Sequence, residues 1–161
     1  TVIYSKGPPT GVVGQINAII GAEYVDADEY SLRDTTARFG AADLIIEATG
    51  YSPLAWDAAA CLAVNGVLCL LSVTGGDREA TIPSDRLNLE LVLGNRLVFG
   101  SVSSHRLDFE SAIDDIHALQ RRFPGVLDAF ISRRIPFTAV RDALAEDETG
   151  ILKLVVRVSD D

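Results

Sequence analysis

Short apolar runs that end in small residues alternate along this chain with stretches whose apolar positions recur at helical spacing. Residues 1–5, Thr-Val-Ile-Tyr-Ser, are β-branched and aromatic and predict a strand. Beyond a Lys-Gly-Pro-Pro-Thr turn, Val12, Val13, Ile16, Ile19 and Ile20 predict a helix that Gly21 caps and that Gly11 and Gly14 weaken. Residues 23–26 predict a short strand. Residues 34–39 predict a short helix entered near Ser31 or Asp34 and closed by Gly40. The run Asp43-Leu-Ile-Ile-Glu-Ala-Thr-Gly50 predicts a buried parallel strand with small residues at its carboxyl end. Ser52 as N-cap and Pro53 at the first helical position start a helix to about Val64. Asn65-Gly66 then turns into a second strand of the same design over residues 66–76, followed by a loop to Thr81. Pro83-Ser84-Asp85 opens a helix to about Leu93, capped by Gly94-Asn95, and residues 96–102 predict a third strand. A long amphipathic helix covers residues 109–122, with Phe109, Ile113, Ile116 and Leu119 on one face, until Phe123-Pro-Gly125 stops it. A short extended piece over 131–136, a helix from a Thr138 cap through Leu144 and a closing strand over 151–158 complete the series.

Strand alternating with helix predicts an α/β fold, a doubly wound parallel sheet with helices on both faces. Three of the strands finish in Gly, Ser or Thr, a row of small polar tips at the carboxyl ends, where open α/β sheets bind ligands. That row is the floor of a nucleotide site or three ordinary strand ends. The G-x-G-x-x-G turn of a dinucleotide fold does not occur in the chain. Gly7-Pro-Pro-Thr-Gly11 is no substitute, because its prolines lack the amide hydrogens that hold a phosphate. A Rossmann-like reading therefore lacks the first strand–glycine turn–helix unit. That unit is expected upstream of Thr1, and residues 1–5 become the second strand. The absence of methionine and the start inside a strand-like run point the same way, to an excerpt or a trimmed chain. At the tip of such a second strand, an acidic residue binds the ribose 2′-hydroxyl of NAD. Here the tip is Ser5-Lys6-Gly7: serine can donate to a 2′-phosphate, lysine can neutralise it, and no aspartate stands there to repel it. The cofactor expected on this reading is NADP, with NAD possible, although a solvated turn lysine fits the residues equally.

Composition narrows the classes. With 161 residues, 48% of them apolar, the chain suits one domain with a sizeable core. No apolar run reaches the ~18 residues of a spanning helix, and no signal peptide is visible, so a cytoplasmic protein without a membrane partner is expected. Cys61 and Cys69 lie inside apolar segments and read as free buried thiols of a reducing compartment. With His105 and His117 they do not make a zinc spacing. The net charge of −9 argues against nucleic acid. Twelve Arg against two Lys, and fifteen Asp against eight Glu, fit a salt-adapted cytoplasm as well as an ordinary acidic composition. His105, just past a strand tip, reads as a surface loop histidine in preference to a proton-relay group, and Asp114-Asp115 and Glu146-Asp-Glu148 as solvated acidic runs.

Several words of the sequence carry a resemblance: residues 20–26 (Ile-Gly-Ala-Glu-Tyr-Val-Asp), residues 43–50 (Asp-Leu-Ile-Ile-Glu-Ala-Thr-Gly), Val64-Asn-Gly-Val67, residues 98–105 (Val-Phe-Gly-Ser-Val-Ser-Ser-His) and Gly150-Ile-Leu-Lys153. With them the chain resembles the medium-chain dehydrogenase/reductase family, and within it the archaeal glucose dehydrogenases. The resemblance covers nearly all of the chain but only the nucleotide-binding part of such an enzyme. It implies that Ser5-Lys6-Gly7 stands where the family reads Gly-Arg-Arg or Asn-Arg-Arg. One cation then replaces two at the adenosine 2′-phosphate, giving a looser NADP preference. It implies that Thr49 and Gly50, Leu71, Ser72 and Val73, and Ser101, Val102 and Ser103 line the adenosine and the nicotinamide. The family often has asparagine where Ser103 stands. Lys153 falls where the family carries a lysine near the cofactor, and an exposed lysine on an edge strand explains it equally. By the same implication the chemistry is zinc-assisted hydride transfer from a sugar, with zinc ligands in a catalytic domain upstream. No catalytic or metal-ligating residue is therefore assigned here. The family also implies association through the strand near Arg96, as a homodimer or homotetramer.

Two rivals remain beside the cofactor portion of an NADP-preferring aldose dehydrogenase. One is a free-standing nucleotide-binding or scaffold domain. The other is a different α/β enzyme, such as a methyltransferase, which has no reason to carry these words.

Overall fold

The computed structural model describes residues 1–146 and 150–159. Asp147 and Glu148, of the acidic run beginning at Glu146, lie outside the described residues. The chain divides into two compact units, one of residues 1–26 with 105–161 and one of residues 27–104.

In the first unit, β1 (Val2–Ser5) pairs in parallel with β2 (Glu23–Asp26), so that Ile3 faces Tyr24 and Ser5 faces Asp26. The crossover is α1 (Gly11–Ile20), which ends as expected at Gly21, left-handed at φ 63°. Gly14 is required rather than merely tolerated. A Cβ there would stand 2.1 Å from the Pro9 carbonyl oxygen, which folds back over the start of the helix. Ile16 packs with Val126 and Ala129 of a short helix, α6 (Val126–Phe130), against Leu119 and Phe123. The pattern gave no hint of α6, since five residues after a Pro-Gly pair show less than two helical turns of periodicity. The long helix is α5 (Arg106–Arg122), three residues longer at its start than the apolar spacing indicates. Its apolar face is not buried: Phe109, Ile113 and Ile116 are exposed. The unit also contains β6 (Arg133–Pro136) in parallel with β7 (Leu154–Arg157). Between them, Thr138 lies inside a 3-10 turn, Phe137–Ala139, ahead of α7 (Val140–Ala143), and is not its cap.

The second unit is a three-stranded parallel sheet in the order β3-β4-β5, formed by Ala42–Glu47, Leu62–Leu70 and Leu97–Gly100. Ahead of it, α2 (Leu32–Phe39) opens with a capping box in which Ser31 and Asp34 satisfy each other's backbone amides. Those hydrogen bonds, the Ser31 hydroxyl first, hold the Asp34 carboxyl below its usual value. Next, α3 (Ser52–Ala60) carries Pro53 in its first turn, but its N-cap is Tyr51 rather than Ser52. The helix ends four residues earlier than the pattern indicates, because Asn65-Gly66 is not the turn between helix and strand. It sits inside β4 as an irregularity: Ala42 pairs with Leu62, yet Leu44 pairs with Val67. Asn65 takes φ 62° and donates its amide to the Gly94 carbonyl at 2.7 Å. A Cβ on Gly66 would meet the Ala42 carbonyl oxygen at 3.0 Å, so this close approach of two strands needs glycine. The last helix, α4 (Ser84–Leu93), runs as expected.

Ala58, Ala59, Leu62, Leu68 and Leu87 form the core of this unit, with Ile45, Leu70 and Val98 packed against them. Each fully buried leucine, Leu62 and Leu68, contributes about 1.5–3 kcal/mol. The other face of the sheet differs. Strand alternation and register place Leu44, Val67 and Leu97 in one row and Ile46, Cys69 and Phe99 in the next. Leu44 and Ile46 are 61% and 60% exposed, and Leu97 and Phe99 are exposed too.

Candidate functional site

Parallel register levels the three strand tips of the second unit. Glu47, Leu70 and Gly100 share one row, and the next residues extend the ladder. Leu71 donates to the Glu47 carbonyl at 2.9 Å and Ser101 to the Leu70 carbonyl at 3.0 Å. Thr49 and Gly50, Leu71 to Val73 and Ser101 to Ser103 therefore all leave the sheet at its carboxyl edge, as a parallel sheet requires of strands in step. Val73 and Val102 are each 82% exposed, and Leu71 is exposed as well. A level edge of small hydroxyl residues with three uncovered apolar side chains suits a ligand with flat apolar rings and polar substituents.

What shapes this edge is Glu47, the residue that sequence reasoning passed over. Its side chain is 7% exposed. One carboxylate oxygen accepts from both the Thr49 amide at 2.7 Å and the Thr49 hydroxyl at 2.5 Å. Thr49 Oγ1 accepts in turn from the Tyr51 amide at 3.0 Å. Gly50 follows at φ 71°, and its carbonyl accepts from the Thr74 hydroxyl at 3.1 Å, tying the turn after β3 to the loop after β4. A buried carboxylate is costly unless hydrogen-bonded, so here it fixes the turn. The signal was in the sequence, an acid at the end of an apolar strand, but only burial gives it weight.

The tip of β1 lies in the first unit. Ser5 and Lys6 are exposed, and Gly7 turns the chain at φ 74°. Both neighbouring peptide groups are held by β2. The Gly7 amide donates to Asp26 Oδ1 at 2.9 Å, and the Tyr24 hydroxyl donates to the Gly7 carbonyl at 3.0 Å. The expectation that no aspartate stands at this turn is therefore corrected. None follows β1 in sequence, but the pairing of Ser5 with Asp26 brings one from the neighbouring strand.

Lys153 is exposed and immediately precedes β7, its carbonyl accepting from the Ser132 amide at 3.0 Å. His105 caps α5. Its Nδ1 accepts from the Leu107 amide at 3.4 Å, while its own amide donates to Asp108 at 2.6 Å. Cys61 is buried, its thiol 3.7 Å from the Leu32 carbonyl, and Cys69 is half-buried. Among the described residues no three His, Cys, Asp or Glu side chains come together as metal ligands, so these residues do not fit a zinc centre. No helix among them is long and apolar enough to cross a membrane.

A family described as Glucose dehydrogenase C-terminus matches residues 3–158. Glucose 1-dehydrogenase from Methanocella arvoryzae is 36% identical over 135 residues, covering 84% of this chain and 38% of the relative. That from Halobacterium salinarum is 34% identical over 132 residues, covering 82% and 36%. The chain thus spans less than two fifths of the length of these relatives. Among solved structures, Haloferax mediterranei glucose dehydrogenase in complex with NADP, Zn and gluconolactone is similar with a TM-score of 0.88 at 26% identity. The match covers 99% of this chain and 43% of that one.

Proposed function

Since the chain belongs to the family of glucose dehydrogenase C-terminal parts, we propose that it is the cofactor-binding portion of an NADP-preferring glucose or aldose 1-dehydrogenase. The level row of strand tips at Thr49–Gly50, Leu71–Val73 and Ser101–Ser103 is the observation that carries this reading. A bound NADP would supply the hydride acceptor. The residues of this chain bind and orient it: apolar side chains against its rings, hydroxyls toward its polar groups, and Lys6 with Ser5 toward the 2′-phosphate. Lys153 is assigned a supporting contact with the cofactor. The NADP and gluconolactone held by the Haloferax relative support the cofactor and the sugar class.

The rest of the enzyme is assigned to an upstream segment: a strand–glycine turn–helix unit for the pyrophosphate, and the domain that carries the zinc ligands. Three features support this: the missing glycine turn, the greater length of the relatives, and the uncovered rows Leu44–Leu97 and Ile46–Phe99, which need a covering element. The complete protein is expected to form NADPH from NADP with glucose or a related aldose. Failure to turn over any aldose, together with failure to bind NADP or NAD, would leave a scaffold role as the better reading.

Two substitutions test the cofactor end. Lys6→Ala is expected to raise the KM for NADP about tenfold, the worth of one charge-assisted contact, and to leave that for NAD unchanged. Asp26→Asn keeps an acceptor for the Gly7 amide but removes a negative charge beside the turn. The KM for NADP is then expected to fall roughly threefold, since a partly solvated charge at close range is worth about 1 kcal/mol or less. Equal effects on both cofactors in either variant would place the 2′-phosphate elsewhere.

Association is assigned to β5, the edge strand beside β4, through the backbone groups of its open edge. The complete protein is expected to sediment as a dimer or tetramer at micromolar concentration. A monomer would overturn this assignment.

A further inference from the structure

A cavity of about 320 Å³ opens in the second unit between α2, α3, residues 80–83 and the first turns of α4. That volume lies in the range of small-ligand sites, about 300–1,000 Å³. None of the strand-tip residues assigned to the cofactor lines it, so it is a separate site that does not depend on which nucleotide the tips take.

Its wall has three unusual properties. Trp56, 44% exposed on α3, and Ile82 supply apolar surface to the lining. Arg33 on α2 and Asp57 on α3 line the same space at its exposed rim, and neither side chain has a hydrogen bond or ion pair with another described residue. Glu90 is already taken. Arg86 Nε donates to one of its oxygens at 2.8 Å and Arg96 Nη1 to the other at 3.1 Å. The hydrogen bond from Arg86, above all, holds the Glu90 carboxyl below its usual value. Behind the wall, Arg96 keeps a buried Nε with no partner. Two guanidiniums, Arg33 and Arg86, and two carboxylates, Asp57 and Glu90, therefore line the wall; Glu90 is neutralised by its two arginines, which leaves Arg33 and Asp57 to face the space.

We infer that this cavity binds a small hydroxylated anion of the sugar-carboxylate or sugar-phosphate class. Its anionic group sits on the Arg33 guanidinium with Arg86 adjacent, a hydroxyl donates to Asp57, and its C–H face lies on the Trp56 ring. Each contact answers a property of the wall. An unpaired guanidinium selects carboxylate or phosphate, an unpaired carboxylate selects a hydroxyl donor, and an exposed indole selects an apolar face.

Trp56 is the sole tryptophan of the chain, so its fluorescence reports on the cavity. The complete protein and its Trp56→Phe variant are titrated with gluconate, glucose 6-phosphate and neutral glucose at constant ionic strength. The difference between the two isolates the Trp56 signal. A saturable change with gluconate or glucose 6-phosphate, but not with glucose, is expected, and the anion that elicits it identifies the headgroup. Arg33→Gln is expected to weaken that binding about tenfold or more with no change in the unfolding midpoint, since Arg33 holds nothing else. Asp57→Asn is expected to weaken it severalfold and gives an independent reading. No response to either anion, an equal response to glucose, or unchanged affinity in Arg33→Gln would overturn the proposal.

Discussion

Replacing Glu47 with alanine is expected to destabilise the protein by about 2–4 kcal/mol and to weaken NADP binding by about tenfold or more. The substitution removes a buried carboxylate that accepts both the amide and the hydroxyl of Thr49. Hydrogen bonds to a charged group are worth about 1.5–3 kcal/mol, and the Thr49 amide loses its acceptor as well. The effect reaches the candidate site because Thr49 holds the Tyr51 amide and Gly50 is tied to Thr74. Without Glu47 the turn after β3 no longer has one shape, and the neighbouring tip loses a fixed neighbour. Glu47→Gln keeps an acceptor oxygen without the charge and is expected to recover most of the stability. Thermal unfolding and NADP titration of both variants, made in the complete protein, check this. A loss of stability under about 0.5 kcal/mol in the alanine variant would show that water replaces the carboxylate and that the turn stands by itself.

Gly14→Ala is expected to be the most damaging single methyl in the first unit, costing about 3 kcal/mol or more. On helix propensity alone the change is favourable by about 1 kcal/mol, because glycine is a poor helical residue. Sterics reverse the sign. The added Cβ would lie 2.1 Å from the Pro9 carbonyl oxygen and 3.0 Å from the Pro9 carbonyl carbon, backbone atoms that cannot rotate away. Either α1 or the 7–10 segment must shift, and that segment carries the turn after Lys6. The KM for NADP is therefore expected to rise with the loss of stability, while Gly75→Ala, on an open loop with nothing within contact distance, changes neither. A Gly14→Ala protein as stable as the parent would show that the Pro8-Pro9 turn relaxes freely.

Much of the fold was legible because local signals and tertiary structure agree in most elements. Gly21 is left-handed where the helix pattern stops, Ser31 and Asp34 close a capping box, and the three apolar runs are parallel strands. Disagreement came where a local signal was outweighed. Asn65-Gly66 has the chemistry of a turn, yet the pairing of β4 with β3 on either side, and the Asn65 amide on Gly94, hold it inside a strand. The apolar residues of α5 share one face, as their spacing predicts, but a face predicts a partner without supplying one, and Phe109, Ile113 and Ile116 are exposed.

The candidate site divides in the same way. The chemical character of the strand tips and the cation at residue 6 were determined by the sequence alone, because they are properties of residue type and of position at the end of an apolar run. The level alignment of the tips, the arrival of Asp26 beside Gly7, the burial of Glu47 and the meeting of Arg33, Trp56 and Arg86 around one cavity were decided only by the tertiary structure. The physical reason is that these depend on register and packing between segments 19 or more residues apart. Periodicity states which side of an element is apolar, but the neighbour to which that side is matched is chosen when the sheet and its helices close on one another.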